Sequence, residues 1–211
     1  MYTGATGSNL ARPTSSGEDR SLATAACSSG FPVLATANLR LRAFELSDIS
    51  QLKAIANEHH VADTTIDVPH PFTAAYARQW VDSHAGLWER RRSVHWAVSL
   101  LADDRLVGYT GLEHIDLLNR QAELSFWIGR GMECRGYATE AAQAALAFAF
   151  STLEMNRVGT FHLARDIVAA RILSKIGMQQ EGLLRQRVCK WDQFEDVGVS
   201  GMLKSEWLAS L

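Results

Sequence analysis

Cysteine is scarce in this chain: Cys27, Cys134 and Cys189 stand singly among 211 residues. No CxxC pair or metal-ligand spacing links them, so neither a disulfide framework nor a thiolate metal site organises the fold. Separate thiols predict a reducing, cytoplasmic setting. No apolar run approaches the ~18–20 residues that cross a bilayer. Nor is there an excess of one charge. Lys and Arg number 21 against 23 Asp and Glu, a formal net charge of −2. That balance gives no electrostatic footing for nucleic acid or an anionic membrane as partner. His59, His60 and His70 do not amount to a metal set. Adjacent histidines do not share a helix face, and no Cys or carboxylate triad accompanies them. No metal is expected.

What is present is the composition of a globular protein, 47% hydrophobic and 21% charged, at a length that suits one domain with a sizeable core. Residues 1–37 are a different material. They are rich in Ser, Thr, Gly and Ala and carry no apolar period, so they read as a disordered tail ahead of a domain spanning 38–211. A secretory signal is not expected, because no continuous apolar stretch follows a basic start.

Leu39-Arg40-Leu41-Arg42 alternates and reads as a short strand. Ser47-Asp48 offers an N-cap for a helix carrying Ile49, Leu52, Ile55 and Ala56. Residues Asn57 to Pro71 lack periodicity and read as a loop. Thr73 then caps a helix running to about Arg91. Val94–Leu101, Arg105–Asp116 and a strand from Ala122 are joined by short connections and predict an antiparallel meander. Arg157–Leu163 reads as a strand, and Ile167–Ile176 as a helix stopped by Gly177. Gln186–Lys190 and Phe194–Leu203 predict a final hairpin turning at Trp191-Asp192-Gln193.

The chain is organised around Gln121 to Phe150. Ala122, Leu124, Phe126 and Ile128 alternate with Glu123, Ser125 and Trp127, the two-residue period of a half-buried strand. A loop follows with glycines at 129, 131 and 136. After Thr139 the period becomes helical, with Ala141, Ala145 and Phe148 on one stripe. The first N–H groups of that helix have no intrahelical partner, and the helix dipole is positive there. Gly136 permits a close backbone approach, Ala138 adds little bulk, and Arg135 can supply charge-assisted hydrogen bonds. The junction therefore predicts an anion site of the phosphate class. The plain alternative is an ordinary strand-to-helix turn containing a glycine.

The segment Glu133-Cys134-Arg135-Gly136-Tyr137-Ala138-Thr139-Glu140-Ala141 resembles the coenzyme A pyrophosphate loop of the GNAT acetyltransferases, whose pattern is Q/R-x-x-G-x-G/A. Its nearest likeness is to the RimJ/RimL-type N-acetyltransferases. Glu133 departs from the pattern, since an acid facing pyrophosphate is unfavourable; it is expected to point to solvent. A second family signature, N-x-x-S-x-R-V-L-E-K-x-G-F followed by EG and R, is similar to the stretch from Asp166 to Met178, then Glu181-Gly182 and Arg185. Arg171, Lys175 and Gly177 match. Asp166 replaces an Asn that bonds the pantetheine arm, and Ala169 replaces a Ser considered as a proton donor to the leaving thiolate. The likeness covers about Leu39 to Trp207.

The resemblance implies an α/β fold with a mixed, mostly antiparallel sheet and helices on both faces. It implies acetyl-CoA as cosubstrate, bound at Ile128, Arg130, Arg135, Gly136, Tyr137, Ala138, Thr139, Asp166 and Lys175. It implies N-acetylation of a primary amine in a ternary complex, the amine being a protein N-terminus or a small molecule such as an antibiotic or polyamine. A weakly catalytic CoA-binding module is the alternative that Asp166 and Ala169 raise. A monomer or homodimer is expected. Glu123 is the candidate general base, with a structural carboxylate bonded to a neighbouring strand as the other reading. His114, beside Glu113, is an alternative base. Tyr109 reads as a core tyrosine that could serve as an acid.

Overall fold

The computed structural model describes residues 30–211. Two short strands, β1 (Leu34–Ala35) and β2 (Leu39–Arg42), open the fold, and a single 3₁₀ turn at Leu46–Asp48 leads into α1 (Ile49–Ala56). Asp48 does more than start that helix. Its carboxylate takes both forks of Arg42, at 2.7 and 3.0 Å, and accepts from the Glu45 N–H at 2.8 Å, which ties β2 to the entry of α1. The helix α3 (Ala74–Glu89) begins where the sequence predicts, with the Thr73 hydroxyl accepting from the Tyr76 N–H.

The stretch expected to be a plain loop contains a helix, α2 (His59–Thr64). It buries Val61 and Ala62, so tertiary packing supplies what the short segment's propensity lacks.

Strands β3 (Val94–Leu100), β4 (Leu106–Asp116) and β5 (Gln121–Ile128) form the expected meander. The helix α4 (Tyr137–Ser151) crosses over to β6 (Arg157–Leu163), which lies parallel to β5. Then come α5 (Ile167–Lys175), β7 (Gln179–Lys190), β8 (Gln193–Leu203) and a terminal α6 (Lys204–Ala209). Gly177, at φ +89, follows α5 in the left-handed region that stops a helix. Among the described residues the sheet has eight strands in the order β1-β2-β3-β4-β5-β6-β8-β7, antiparallel except at β5–β6. The final hairpin is longer than predicted, because β7 starts at Gln179; α6 was not expected.

Each face of the sheet carries its own core. On one, Val94, Trp96 and Val98 pack with the α4 residues Ala141, Ala145, Leu146 and Phe148. On the other, Ala97, Tyr109 and Trp127 pack with Ile49, Leu52 and Ile55 of α1 and Ala77 and Val81 of α3. Covering both faces explains why the first six residues of β3 are all buried, although its sequence alternates as a half-exposed strand would.

The boundary of the tail also moves. Residues 30–37 were read as part of it, yet Phe31 sits edge-on to Trp88 and Trp96. The Trp88 and Trp96 indole N–H groups donate to the carbonyls of Gly30 (3.3 Å) and Pro32 (2.8 Å), and β1 pairs with β2. Sparse apolar residues suffice here because two waiting tryptophans receive them. The reading of residues 1–29 lies outside the described residues. Phe31→Ala is expected to cost about 1–2 kcal/mol, as for a partly buried aromatic, and thermal unfolding should show a melting temperature lower by several degrees.

Two histidines sit in the core between α3 and β3. His84 and His95 stack with ring centroids 4.3 Å apart. Burial pushes His84 down to about 3, with His95 adding to it, and pushes His95 down to about 4. Both are neutral in the folded protein at neutral pH. Below about 6.5 the unfolded chain takes up protons that the folded one refuses, so this pair makes stability fall as pH drops from 6.5 toward 4. Each group adds a slope approaching about 1.4 kcal/mol per pH unit. Urea unfolding between about pH 7.5 and 5 should show that fall, and His84→Leu should make it shallower.

Candidate active site

β5 and β6 pair only at Gln121–Glu123 with Arg157–Gly159. Beyond that point they part. The Thr160 hydroxyl, on β6, donates to the Leu124 carbonyl at 2.8 Å and marks the fork. A cleft of about 820 Å³ opens above it, lined along β5 from Glu123 to Ile128 and across the gap by Thr160, Phe161 and His162. Leaving the ladder deprives alternate N–H and C=O groups of β5 of their β6 partners, so a ligand laid in the gap meets ready hydrogen-bonding groups.

One end of the cleft is the start of α4. Gly131, Cys134 and Gly136 have φ of +83, +57 and +83, which curls the loop so that its backbone faces inward. Gly136 is the N-cap of α4, and a Cβ added there meets no protein atom within 4 Å. That position opens on empty space, and Gly136 itself lines the cleft. Gly136, Tyr137, Ala138 and Thr139 all line the cleft, as does Ile128, whose carbonyl is 3.1 Å from His60 Nε2. This end fits a diphosphate: a positive φ at the cap, small residues, and first-turn N–H groups aimed at open space.

Arg130 and Arg135 lie exposed on the loop and outside the cleft lining; neither makes an ion pair among the described residues. Arg130 is anchored by its backbone, whose N–H donates to Glu58 Oε2 at 2.6 Å. Glu133 is about half exposed and leans toward His60, 3.6 Å away.

Asp166 and Lys175 line the opposite wall, with Ala169 between them in sequence. The Asp166 carboxylate caps α5, accepting from the Ala169 N–H at 2.9 Å. An acid suits this position because it meets the positive end of a helix. Ala169 offers no proton.

At the other end of the cleft, β4 and β5 bring carboxylates together. Glu113 and Glu123 are directly opposite in register. Glu123 Oε2 lies 3.0 Å from Nδ1 of His114, which is exposed and stands at φ +49 beside a bulge in the ladder. Glu113 is more enclosed. Its Oε1 accepts from the Tyr109 hydroxyl at 2.6 Å, and Tyr109 Oη is 2.9 Å from His95 Nδ1. Burial raises the Glu113 carboxyl above the usual range, and burial with the nearby Glu113 raises Tyr109 well above its own. Reading the sequence did not connect these three. The only signal was that Tyr109 and Glu113, four apart on a strand, share a face.

Three side chains tie the end of α2 to the later part of the chain. Arg165 takes both oxygens of Asp63 and also bonds Glu195 at 2.9 Å. Lys190 Nζ donates to the Thr65 carbonyl at 2.6 Å, and the Trp191 indole donates to Asp63 at 3.2 Å. Of the histidines set aside as metal ligands, His70 stacks edge-on with Trp191 and His60 braces β5.

Gly136→Val is the sharpest test of the phosphate end. A β-branched residue at φ +83 costs about 1–2 kcal/mol of stability, which the fold can bear, while its methyl groups fill the open side. Calorimetry should show the folded variant losing CoA affinity by about tenfold or more.

Comparison with known proteins now bears on this arrangement. A Bacillus subtilis (strain 168) protein named for ribosomal N-acetylation, YdaF, is 32% identical over 108 residues, covering 51% of this chain and 59% of that protein. Among solved structures, RimL, a ribosomal L7/L12 α-N-protein acetyltransferase in complex with coenzyme A, superposes with a TM-score of 0.75 at 14% identity, covering 82% and 98% of the two chains. A spermidine N-acetyltransferase from Vibrio cholerae, in complex with CoA and spermine, gives 0.72 at 20% identity, covering 82% and 99%. At such identities these structures speak for the fold. The model of the acetyltransferase (GNAT) domain matches residues 38–179, and on that match, two thirds of its length, the chain belongs to the GNAT family of N-acetyltransferases.

Proposed function

We propose that this N-acetyltransferase moves an acetyl group from acetyl-CoA to a primary amine, both held in the cleft where β5 leaves β6. The carrying observation is that one cleft joins the start of α4 to the carboxylates Glu113 and Glu123. CoA supplies the acetyl group as a reactive thioester. The first-turn N–H groups from Tyr137 to Thr139, with Gly136, would hold its diphosphate, and Arg130 and Arg135 stand near enough in the loop to add charge. Ile128 would flank the pantetheine arm, with Asp166 and Lys175 on the facing wall.

The chain's own work is then positional and electrostatic. β5 amides freed by the fork can donate to an oxygen that becomes negative. Glu123, or a water it orders, takes a proton so that the amine attacks in its neutral form. His114, 3.0 Å from Glu123, sits between that carboxylate and solvent. Neither Ala169 nor Asp166, whose carboxylate is engaged on α5, supplies an obvious proton for the leaving thiolate. That observation favours a second reading, a slow enzyme or CoA-binding module.

For the acceptor we favour a protein N-terminal α-amine, supported by the likeness to RimJ/RimL-type enzymes and the name carried by YdaF. A small cationic amine is the competing substrate. The carboxylates and the aromatic wall of Phe72, Tyr76 and Trp80 would suit either. A panel of peptides and amines, assayed for acceptor-dependent release of free thiol, decides among these; CoA binding without turnover would favour the module.

Glu123→Gln keeps shape and removes basicity. The rate should fall about 10²–10⁴-fold with CoA affinity nearly unchanged, and raising pH should restore part of it, since more amine is then already neutral. Near-full activity with an unaltered pH profile would make Glu123 structural.

A further inference from the structure

At the inner wall of the cleft, His95 and Tyr109 line it beside Glu113, with His84 stacked behind, and catalysis by Glu123 alone does not use them. Buried His95 Nε2 and both ring nitrogens of buried His84 have no hydrogen-bond partner among the described residues. Tyr109, only 2% exposed, links His95 to Glu113. A core gains nothing from unpaired polar atoms, each of which costs on the order of 1–3 kcal/mol. The chain of contacts ends at a carboxylate that lines the cleft.

We infer that Glu113 is the inner member of a two-carboxylate proton path, held by Tyr109 and His95, that takes the acceptor's proton and passes it outward to Glu123 and His114. The inference rests on the reading of the cleft as an amine-acetylation site.

The hydrogen bonding specifies the parts. Tyr109 has one hydroxyl proton, and in the ionised state of Glu113 it goes to Oε1. Tyr109 Oη is then the acceptor for His95 Nδ1–H, which leaves His95 Nε2 the bare nitrogen. Glu113 Oε2 has no protein partner among the described residues and belongs to a side chain that lines the cleft. All three line the cleft, but the Tyr109 hydroxyl and His95 Nδ1 are engaged with each other and with Glu113 Oε1, so they act as positioning residues and the free Oε2 of Glu113 is the atom that meets substrate.

The charges around Glu113 fit the role. Glu123 stands opposite it across the ladder, Asp67 approaches from the α2–α3 connection, and His114 follows it in sequence; Tyr109 and His95 share the cleft wall, and His84 stacks behind His95. Two like carboxylates directly opposite on one strand pair repel when both are ionised, so a proton is readily taken up by the more buried one. In the reaction the amine nitrogen bonds to the acetyl carbon and the carbon–sulfur bond breaks, its electron pair leaving on sulfur. The proton lost by nitrogen goes to Glu113 Oε2, then toward Glu123 and the exposed His114. Burial, with Asp67 and Glu123 adding to it, raises the Glu113 carboxyl, and the Tyr109 hydrogen bond pulls it back toward the ordinary range.

The test compares E113Q, Y109F and E123Q in the full-length protein, each first checked for melting temperature and CoA affinity. Rates on the best acceptor of the amine panel are measured between about pH 5 and 9, and carboxyl infrared bands are titrated without substrate over the same range. E113Q should lower kcat by about 10²-fold or more and flatten the acidic limb, with CoA affinity within about twofold. Y109F keeps the carboxylate but removes its donor, so the acidic limb and an infrared midpoint should both move to higher pH. Should E113Q not fold, Y109F carries the test by itself. An E113Q enzyme with near-full rate and unchanged profile overturns the path, as does an infrared titration that Y109F leaves in place. If E123Q is inactive while E113Q is not, the path fails and amine acetylation stands. A wild-type protein that binds CoA and acetylates no amine overturns both, and differs from the first failure in having no rate for E123Q to lose.

Discussion

The structure depends on a short parallel seam. Three residues of β5 and three of β6 hold the two halves of the sheet together, and above them the strands must part. α4 carries the chain from β5 to β6 and packs against the sheet on one face. Thr160 fixes the fork by spending its hydroxyl on the Leu124 carbonyl. The gap exposes backbone groups that a continuous ladder would satisfy, and the proposed ligand would restore that satisfaction. Arg165, Lys190 and Trp191 bond to Asp63 and Thr65, tying the end of α2 to β7 and to the segment ahead of α5.

The same helix decides where the proposed anion end sits. Ala141, Ala142, Ala145 and Ala149 are fully buried, so α4 lies close against the sheet, and Phe148 reaches Trp88 and Trp96. Glu140 pins the first turn to the start of β2, accepting from the Asn38 backbone and side chain at 2.8 and 3.0 Å. An acid in a first turn is also favoured by the helix dipole. Gly136 stands at the mouth because packing and these hydrogen bonds hold the helix behind it against the sheet.

These dependencies account for what could be read in the residues beforehand. The alternation in Gln121–Ile128, the glycine loop and the alanine stripe are local patterns, and they placed the central strand, the loop and α4. Thr73 and Gly177 are local signals too, and α3 and α5 start and stop at them. α2 has no such signal: six residues without a side-chain cap become helical only because Val61 and Ala62 have a core to enter. Phe31 was likewise unreadable within a Ser- and Gly-rich stretch, since its partners lie 57 and 65 residues away. The meeting of Glu113 with Glu123 depends on strand register, set by the bulge near His114, and no short window of sequence carries register. Asp166 was read against a family Asn, but its hydrogen bond to the start of α5 explains the acid without reference to a ligand.

The two faces of the sheet have divided the work. The α4 face is apolar in its titratable sense: its buried polar side chains, such as Thr160, spend their hydroxyls on strand carbonyls. On the α1–α3 face lie His84, His95 and Tyr109, and Asp48 is buried nearby against Arg42. An unpaired nitrogen there costs stability, which the apolar core of the same face must also offset. Packing on the opposite face can offset that cost, since apolar burial contributes about 25 cal/mol per Å² and α4 buries seven side chains. A sheet covered on both sides lets one face hold the fold together while the other keeps ionisable groups dry, and β4 carries both kinds of residue on alternate positions, Leu112 on one side and Tyr109 with Glu113 on the other.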